Sequence, residues 1–161
     1  MKKVNLSEHS GSFPKANQYK IGIVTSEWNP EITDALRDGA VNFLLEQGVL
    51  KDNLKIHSVP GSFELPLGAA MMFDADEGLD GVVCLGCVIQ GETRHFDFIS
   101  QAVADGIMRV GLDYGAPVSF GVLTCNSFEQ AKERSGGKHG NKGVEAAVTV
   151  LKMISLQRKL K

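Results

Sequence analysis

A histidine, an arginine, a carboxylate and two aromatics stand where they could act on one small molecule. His95 lies in Gly91-Glu92-Thr93-Arg94-His95-Phe96, a glycine-containing segment that opens a helix, and imidazole is the side chain best suited to move protons near neutral pH. The bland reading of His95 is a capping or surface residue. Gly91 and Thr93 can present backbone N–H groups, and Thr93 its hydroxyl, to an anion at the start of that helix. Arg134, near the end of a later helix, either completes that helix's dipole or holds a phosphate as a charged, potentially two-pronged donor. Trp28 is the one Trp in the chain and follows a strand, where an indole stacks on a planar heterocycle or serves as an ordinary rim hydrophobe, and Phe63 has the same two readings. Glu64 sits between apolar residues and before Pro66, so burial without a partner would be costly and a polyol could satisfy it. His57 alternates within a strand and reads as structural.

Other chemistries fit poorly. The segment after the first strand lacks glycines, and the glycines of 136–143 have neither dinucleotide nor Walker spacing, which disfavours nicotinamide cofactors and ATP. Cys84 and Cys87 form a C-x-x-C, yet Cys84 lies inside an apolar run where a thiol behaves as a small hydrophobe, and no second pair completes a tetrahedral metal site.

These residues need a scaffold that gathers them. Residues 20–25 (KIGIVT) are nearly continuous in apolar character, as a strand buried on both faces requires. Asn29 as N-cap, Pro30 in the first turn, then Ile32, Leu36, Ala40, Phe43 and Leu44 at helical spacing predict a helix that Gly48 ends. The alternation recurs with strands at 54–59, 81–85 and 118–123, and helices from 67 to about 74, from about 95 to near 111, at 127–134 and at 144–159. A long loop is expected over 86–94 and a glycine-rich loop over 135–143. Such alternation predicts right-handed crossovers and a three-layer α/β/α sandwich, flavodoxin-like, around a four-stranded parallel sheet. In that arrangement ligands bind beyond the carboxyl ends of the strands, and the four loops carrying Trp28, Glu64, His95 and Arg134 all emerge there. Residues 1–19 are polar and punctuated by Gly11 and Pro14, and are expected to form an N-terminal arm, with 20–161 as one domain.

Composition narrows the partners. The 161 residues carry a formal charge of −2 and 43% hydrophobic residues, ordinary for a globular domain that buries roughly 68–70% of its unfolded surface. No basic face exists for a nucleic acid. The longest apolar run, 81–89, is less than half of the ~20 residues that a membrane helix needs. The start has lysines but no apolar stretch behind them, and three cysteines do not make a disulfide framework, so a cytoplasmic protein is expected.

Several segments agree in order and spacing with one family. They are Gly61-Ser62-Phe63-Glu64-Leu65-Pro66, the run from Gly86-Cys87-Val88-Ile89-Gln90 to Phe96, Phe120-Gly121-Val122-Leu123-Thr124, Glu129 to Arg134, and Gly140-Asn141-Lys142-Gly143. From about residue 20 to residue 153 the chain resembles the lumazine synthases. The resemblance implies a transferase of riboflavin biosynthesis, acting at its penultimate step: 5-amino-6-ribitylaminouracil condenses with 3,4-dihydroxy-2-butanone 4-phosphate, giving 6,7-dimethyl-8-ribityllumazine, phosphate and water. It implies no cofactor and no metal. Trp28 would stack on the pyrimidine; Ser62, Phe63 and Glu64 would line the ribityl side; the backbone of Val88 and Ile89 would read the pyrimidine edge. Gly91, Glu92 and Thr93 would hold the phosphate, closed by Arg134 of a neighbouring subunit, while His95 shuttles protons. Phe120 would pack near the ring, with Lys138 and Lys142 near the phosphate and ribityl ends. Gln90 departs from the arginine that many members carry, which affects a peripheral charge contact. The resemblance further implies homo-oligomers, either pentamers or an icosahedral shell of pentamers, with the arm pairing with a neighbour's sheet and riboflavin synthase as a possible partner. The short 136–141 connection is similar to that of shell-forming members.

Two other readings use the same fold. A flavin carrier would need neither His95 nor the Arg134 phosphate site, and the related archaeal-type riboflavin synthase would turn over lumazine alone.

Overall fold

The structure is a computed structural model and describes residues 11–161. Its strands β1 (Ile21–Ser26), β2 (Leu54–Val59), β3 (Gly81–Ile89) and β4 (Val118–Cys125) form one parallel sheet in the order β2-β1-β3-β4. Helices α1 (Pro30–Glu46) and α5 (Lys142–Leu160) cover one face; α2 (Leu65–Ala75) and α3 (His95–Tyr114) cover the other. Strand alternation explains why β3 is apolar throughout. Val83, Leu85 and Cys87 enter the core with Leu36, Leu44 and Leu151, whereas Val82 and Cys84 enter the core with Leu65, Val103 and Ile107. The expected α/β/α flavodoxin-like sandwich is the fold observed.

Boundaries differ where tertiary contacts override local signals. β3 runs to Ile89 instead of ending at 85, because Gly86–Ile89 pair with Val122–Cys125 of a β4 that is itself longer than expected. The loop expected over 86–94 therefore shrinks to 90–94. Gly86 marks a close approach and not a turn: a methyl carbon there would lie 2.5 Å from Ser62 Oγ and 2.9 Å from Leu65 Cδ1. α3 continues to Tyr114, and α2 starts at Leu65, ahead of the expected 67.

Asn29 does cap α1, though without its side chain. It adopts the left-handed conformation (φ 59°), and its carbonyl accepts from Ile32 N at 2.9 Å and Thr33 N at 3.0 Å. Further along, α4 (Phe128–Glu133) is capped by the Ser127 hydroxyl, which accepts from Gln130 N. The expected glycine-rich loop is an antiparallel hairpin of β5 (Ser135–Gly137) and β6 (Gly140–Asn141). Asn141 joins this hairpin to two helices: its Oδ1 accepts from Gly143 N at 2.8 Å to cap α5, and its Nδ2 donates to the Ala35 carbonyl of α1 at 3.0 Å. Gly143 lets α1 and α5 cross closely, since a methyl carbon there would clash with the Leu36 carbonyl.

Part of the expected arm packs on the core. Ala16 and Tyr19 are buried, Phe13 lies against the same cluster, and Arg158 of α5 stands over the Tyr19 ring at 4.7 Å while pairing with Asp80 at 2.9 Å. Residues 1–10 lie outside the described residues.

Candidate active site

A parallel sheet delivers all its β-to-α loops to one edge, and the strand order places the topological switch point between β1 and β3. The loops that flank this crevice are those of Trp28 and of residues 90–94. Trp28 is 70% exposed. Its loop is anchored behind it by Glu27, whose N–H donates to the Val59 carbonyl at 2.9 Å and whose carboxylate accepts from the Ser58 hydroxyl at 3.0 Å.

After β2, residues Ser62–Glu64 form a 3-10 turn with Ser62 buried and Phe63 exposed. Glu64 finds one partner within its own turn. It is half-buried, and Oε2 accepts from Gly61 N–H at 3.0 Å, leaving the rest of the carboxylate for a further donor. Val88 and Ile89 belong to the strand end and not to a loop, and both are half-buried. Gln90 is exposed, with its N–H on the Cys125 carbonyl at 2.9 Å.

Gly91, Glu92, Thr93 and His95 follow as an exposed group. The backbone N–H groups of Gly91, Glu92 and Thr93 have no acceptor among the described residues. Consecutive free amides beside the start of a long helix are donors that an anion can take up. One donor is already committed: His95 N–H donates to Thr93 Oγ1 at 3.3 Å, which fixes the hydroxyl beside the helix terminus. The His95 imidazole is exposed and has no side-chain partner among the described residues. Arg94 is drawn away from this group, over the Phe98 ring at 5.5 Å.

The β4 side holds the remainder. Arg134 is half-buried at the end of α4, and its Nη1 donates to the Gln130 carbonyl at 3.0 Å. Within this chain, then, it completes its own helix terminus, while its other N–H groups stay available. Cys125 lies in its field, but burial outweighs that attraction and pushes the thiol up. Phe120 is exposed midway along β4 and lines a groove of about 430 Å³ with Phe96, Ser100, Gln101 and Thr124. It thus lies below the rim, along the sheet's edge strand. Lys138 is exposed on the β5–β6 hairpin, whereas Lys142 is paired with Glu145.

Two further sequence readings meet the geometry. Cys84 and Cys87 sit an odd number of residues apart on one strand and so enter opposite cores, and burial pushes each thiol up to about 12. They are packing residues. Ser26, which the sequence reading passed over, ends β1 with its hydroxyl buried toward the Ser62 turn. Only strand pairing reveals it, since nothing local marks a serine at a strand end.

The comparisons with known proteins decide the family. A family model described as 6,7-dimethyl-8-ribityllumazine synthase matches residues 18–158. The chain belongs to this family. Among similar proteins of the same name, that of Cytophaga hutchinsonii is 56% identical over 151 residues, covering 94% of this chain and 94% of its own length. The lumazine synthase of Porphyromonas gingivalis is 49% identical and covers 96% of each chain. That of Christiangramia forsetii is 48% identical over 98% of this chain and 94% of its own. The matched span includes every loop of the lumazine synthase rim described above, from Trp28 to Lys142.

Proposed function

We propose that this chain condenses 5-amino-6-ribitylaminouracil with 3,4-dihydroxy-2-butanone 4-phosphate to form 6,7-dimethyl-8-ribityllumazine, phosphate and water. The observation that carries this reading is 56% identity over 94% of the chain to a protein named for that product, across a span that holds the whole rim. Mixing the purified protein with both substrates and following lumazine absorbance tests it. Lumazine appearing only when both substrates are present supports the reading; product from lumazine alone points to the riboflavin synthase chemistry instead.

The steps are additions and eliminations: an aromatic amine adds to a ketone, water leaves, phosphate is eliminated and the ring closes. Each needs proton transfer and placement, with neither a cofactor nor a metal. Positioning supplies much of the barrier reduction, and general acid–base help is worth about 10²–10⁴-fold. His95 is the proton shuttle, because its exposed imidazole stands beside the free amides of 91–93. Those amides, with Glu92 and the Thr93 hydroxyl nearby, hold the phosphate on one side. Arg134 of a neighbouring subunit closes the phosphate site. Ser62, Phe63 and Glu64 line the ribityl side, where the open capacity of the Glu64 carboxylate takes hydroxyl donors. Val88 and Ile89 read the pyrimidine edge. Phe120 packs near the ring, with Lys138 and Lys142 at the phosphate and ribityl ends.

Trp28 stacks on the heterocycle. Stacking of this kind adds about 0.5–1.5 kcal/mol and brings ring centroids to about 4.5–7 Å. Riboflavin or the lumazine product is therefore expected to quench tryptophan emission saturably after inner-filter correction, and Trp28→Phe to keep activity within about tenfold. Binding seen by calorimetry with no saturable quench would move the site away from this loop.

The chain is one domain over 20–161 and acts as a homo-oligomer in the cytoplasm. Support comes from two unlike apolar faces. Beyond β4, a groove of about 560 Å³ runs between α3 and α5 and is lined by Met108, Leu112, Val118, Phe120, Met153 and Leu160. Toward the β2 side, Leu67 and Met71 form an exposed stripe on α2 that Phe63 extends. Unlike patches at opposite edges of one sheet suit a heterologous contact, the kind that builds a ring where the rotation between neighbours closes. Sedimentation at a multiple of a pentamer is expected, with a shell of pentamers as the largest form and riboflavin synthase as a partner it can meet. A monomer at micromolar concentration would remove the shared site, since Arg134 would have no facing loop.

A further inference from the structure

We propose that Asn141 is a positioning residue for Arg134: its side-chain amide ties the backbone beside Arg134 to α1 and so sets where the guanidinium stands on the rim. The inference rests on the reading of Arg134 as the residue that closes the phosphate site. Asn141 Nδ2 donates to the Ala35 carbonyl of α1 at 3.0 Å and to the carbonyl of Ser135, next in sequence to Arg134, at 3.3 Å. Its Oδ1 accepts from Gly143 N–H at 2.8 Å and from Val144 N–H at 3.3 Å. Both amide donors and the oxygen are therefore used, and one side chain holds three segments together. From the next residue along, Lys142 N–H donates to the carbonyl of Arg134 itself at 2.9 Å.

A glycine of α1 makes room for the tie. Gly39 lies one helical turn after Ala35, and a methyl carbon there would stand 2.5 Å from Asn141 Nδ2 and 2.8 Å from its Cγ. Glycine inside a helix lowers helix stability, so what Gly39 supplies is the open space over the Ala35 carbonyl. A helical carbonyl keeps a second lone pair after its bond to the N–H four residues on, and the Asn141 amide takes it. The contact that the guanidinium makes for itself, Nη1 to the Gln130 carbonyl at 3.0 Å, stays within α4 and its end, so it does not place that short helix against the rest of the domain. A second tie to α1, Lys132 to Glu31 at 3.0 Å, joins two exposed side chains and is screened by salt. The half-buried amide bonds of Asn141 carry no net charge and are not screened in this way.

Asn141→Ser separates the two duties of the side chain, because a serine hydroxyl still caps α5 but has no amide to reach Ala35. The KM of the butanone phosphate is expected to rise about 3- to 10-fold, with kcat and the KM of the ribitylaminopyrimidine unchanged. In an Arg134→Ala background the same substitution should add nothing to the phosphate KM, since it acts through the guanidinium already lost, whereas a merely structural loss would add in full. Hydrogen exchange at the Lys142 amide, whose bond goes to Arg134, should quicken about 3- to 10-fold. Gly39→Ala reaches the same bond from α1 with residues 134–143 untouched, and it should reproduce both changes if Asn141→Ser does not fold. Equal rises for the two substrates, full additivity with Arg134→Ala, or a phosphate KM unaltered in both variants would overturn the proposal. An unchanged phosphate KM in Arg134→Ala itself, or no lumazine from the unsubstituted protein, would instead overturn the reading on which the proposal rests, and the exchange rates would then still show whether the tie to Arg134 exists.

Discussion

Replacing His95 by alanine is expected to lower turnover by about 10²–10⁴-fold while leaving affinity for the ribitylaminopyrimidine nearly intact. The imidazole is exposed at the first turn of α3 and makes no side-chain hydrogen bond or ion pair among the described residues, so its removal should not disturb the fold. Its value is confined to steps in which a proton moves, and such interactions appear in the turnover number far more than in ground-state binding. Steady-state kinetics with both substrates, combined with fluorescence titration of the pyrimidine, separates the two quantities. Thr93 refines the expectation, because its Oγ1 accepts from His95 N–H and holds the start of the helix that aims the ring. Thr93→Ala should therefore lower turnover less than His95→Ala. Turnover unchanged in His95→Ala would remove the residue from the mechanism.

Arg134→Ala is the second large effect, and it falls on the other substrate. A charged donor that meets a phosphate is worth about 1.5–3 kcal/mol, so the butanone phosphate should bind roughly ten- to a hundredfold more weakly, with little change for the pyrimidine. Within its own chain Arg134 already donates to the Gln130 carbonyl, and that bond also disappears. The local loss is a helix-end contribution of about 0.3–1 kcal/mol to stability, which denaturant unfolding measures separately from binding. Arg134→Lys keeps the charge but not the planar fork, and should recover part of the phosphate affinity. Equal weakening of both substrates would count against a phosphate role. Recovery of activity on mixing Arg134→Ala chains with His95→Ala chains would follow from a site shared between subunits, because a mixed ring contains junctions in which both intact residues face each other.

Periodicity and residue type determined the scaffold without reference to any contact. The apolar run of 20–25 demanded a strand covered on both faces, and the spacing of Ile32, Leu36, Ala40, Phe43 and Leu44 demanded a helix; both stand where expected. Once strands and helices alternate, crossover handedness leaves few topologies, and the rim bearing Trp28, Glu64, His95 and Arg134 follows from that. Residue chemistry along the four loops was likewise legible, because their polar and aromatic side chains interrupt otherwise apolar elements. Long-range pairing was not. Gly86 looked like the start of a loop, yet pairing with β4 carries β3 on to Ile89, since hydrogen bonds to a neighbouring strand outweigh a local preference for turning. The glycines of 135–143 looked like an irregular connection and instead form a hairpin, held by Asn141 through a bond to a carbonyl far away in sequence. The partner that Glu64 finds within the chain was not legible either, because it is a backbone N–H, a donor that no residue name reveals. Ser26 was invisible because its place in the fold is set by packing: its buried hydroxyl and that of Ser62 both lie beside Gly86, and no spacing along the chain connects these three residues.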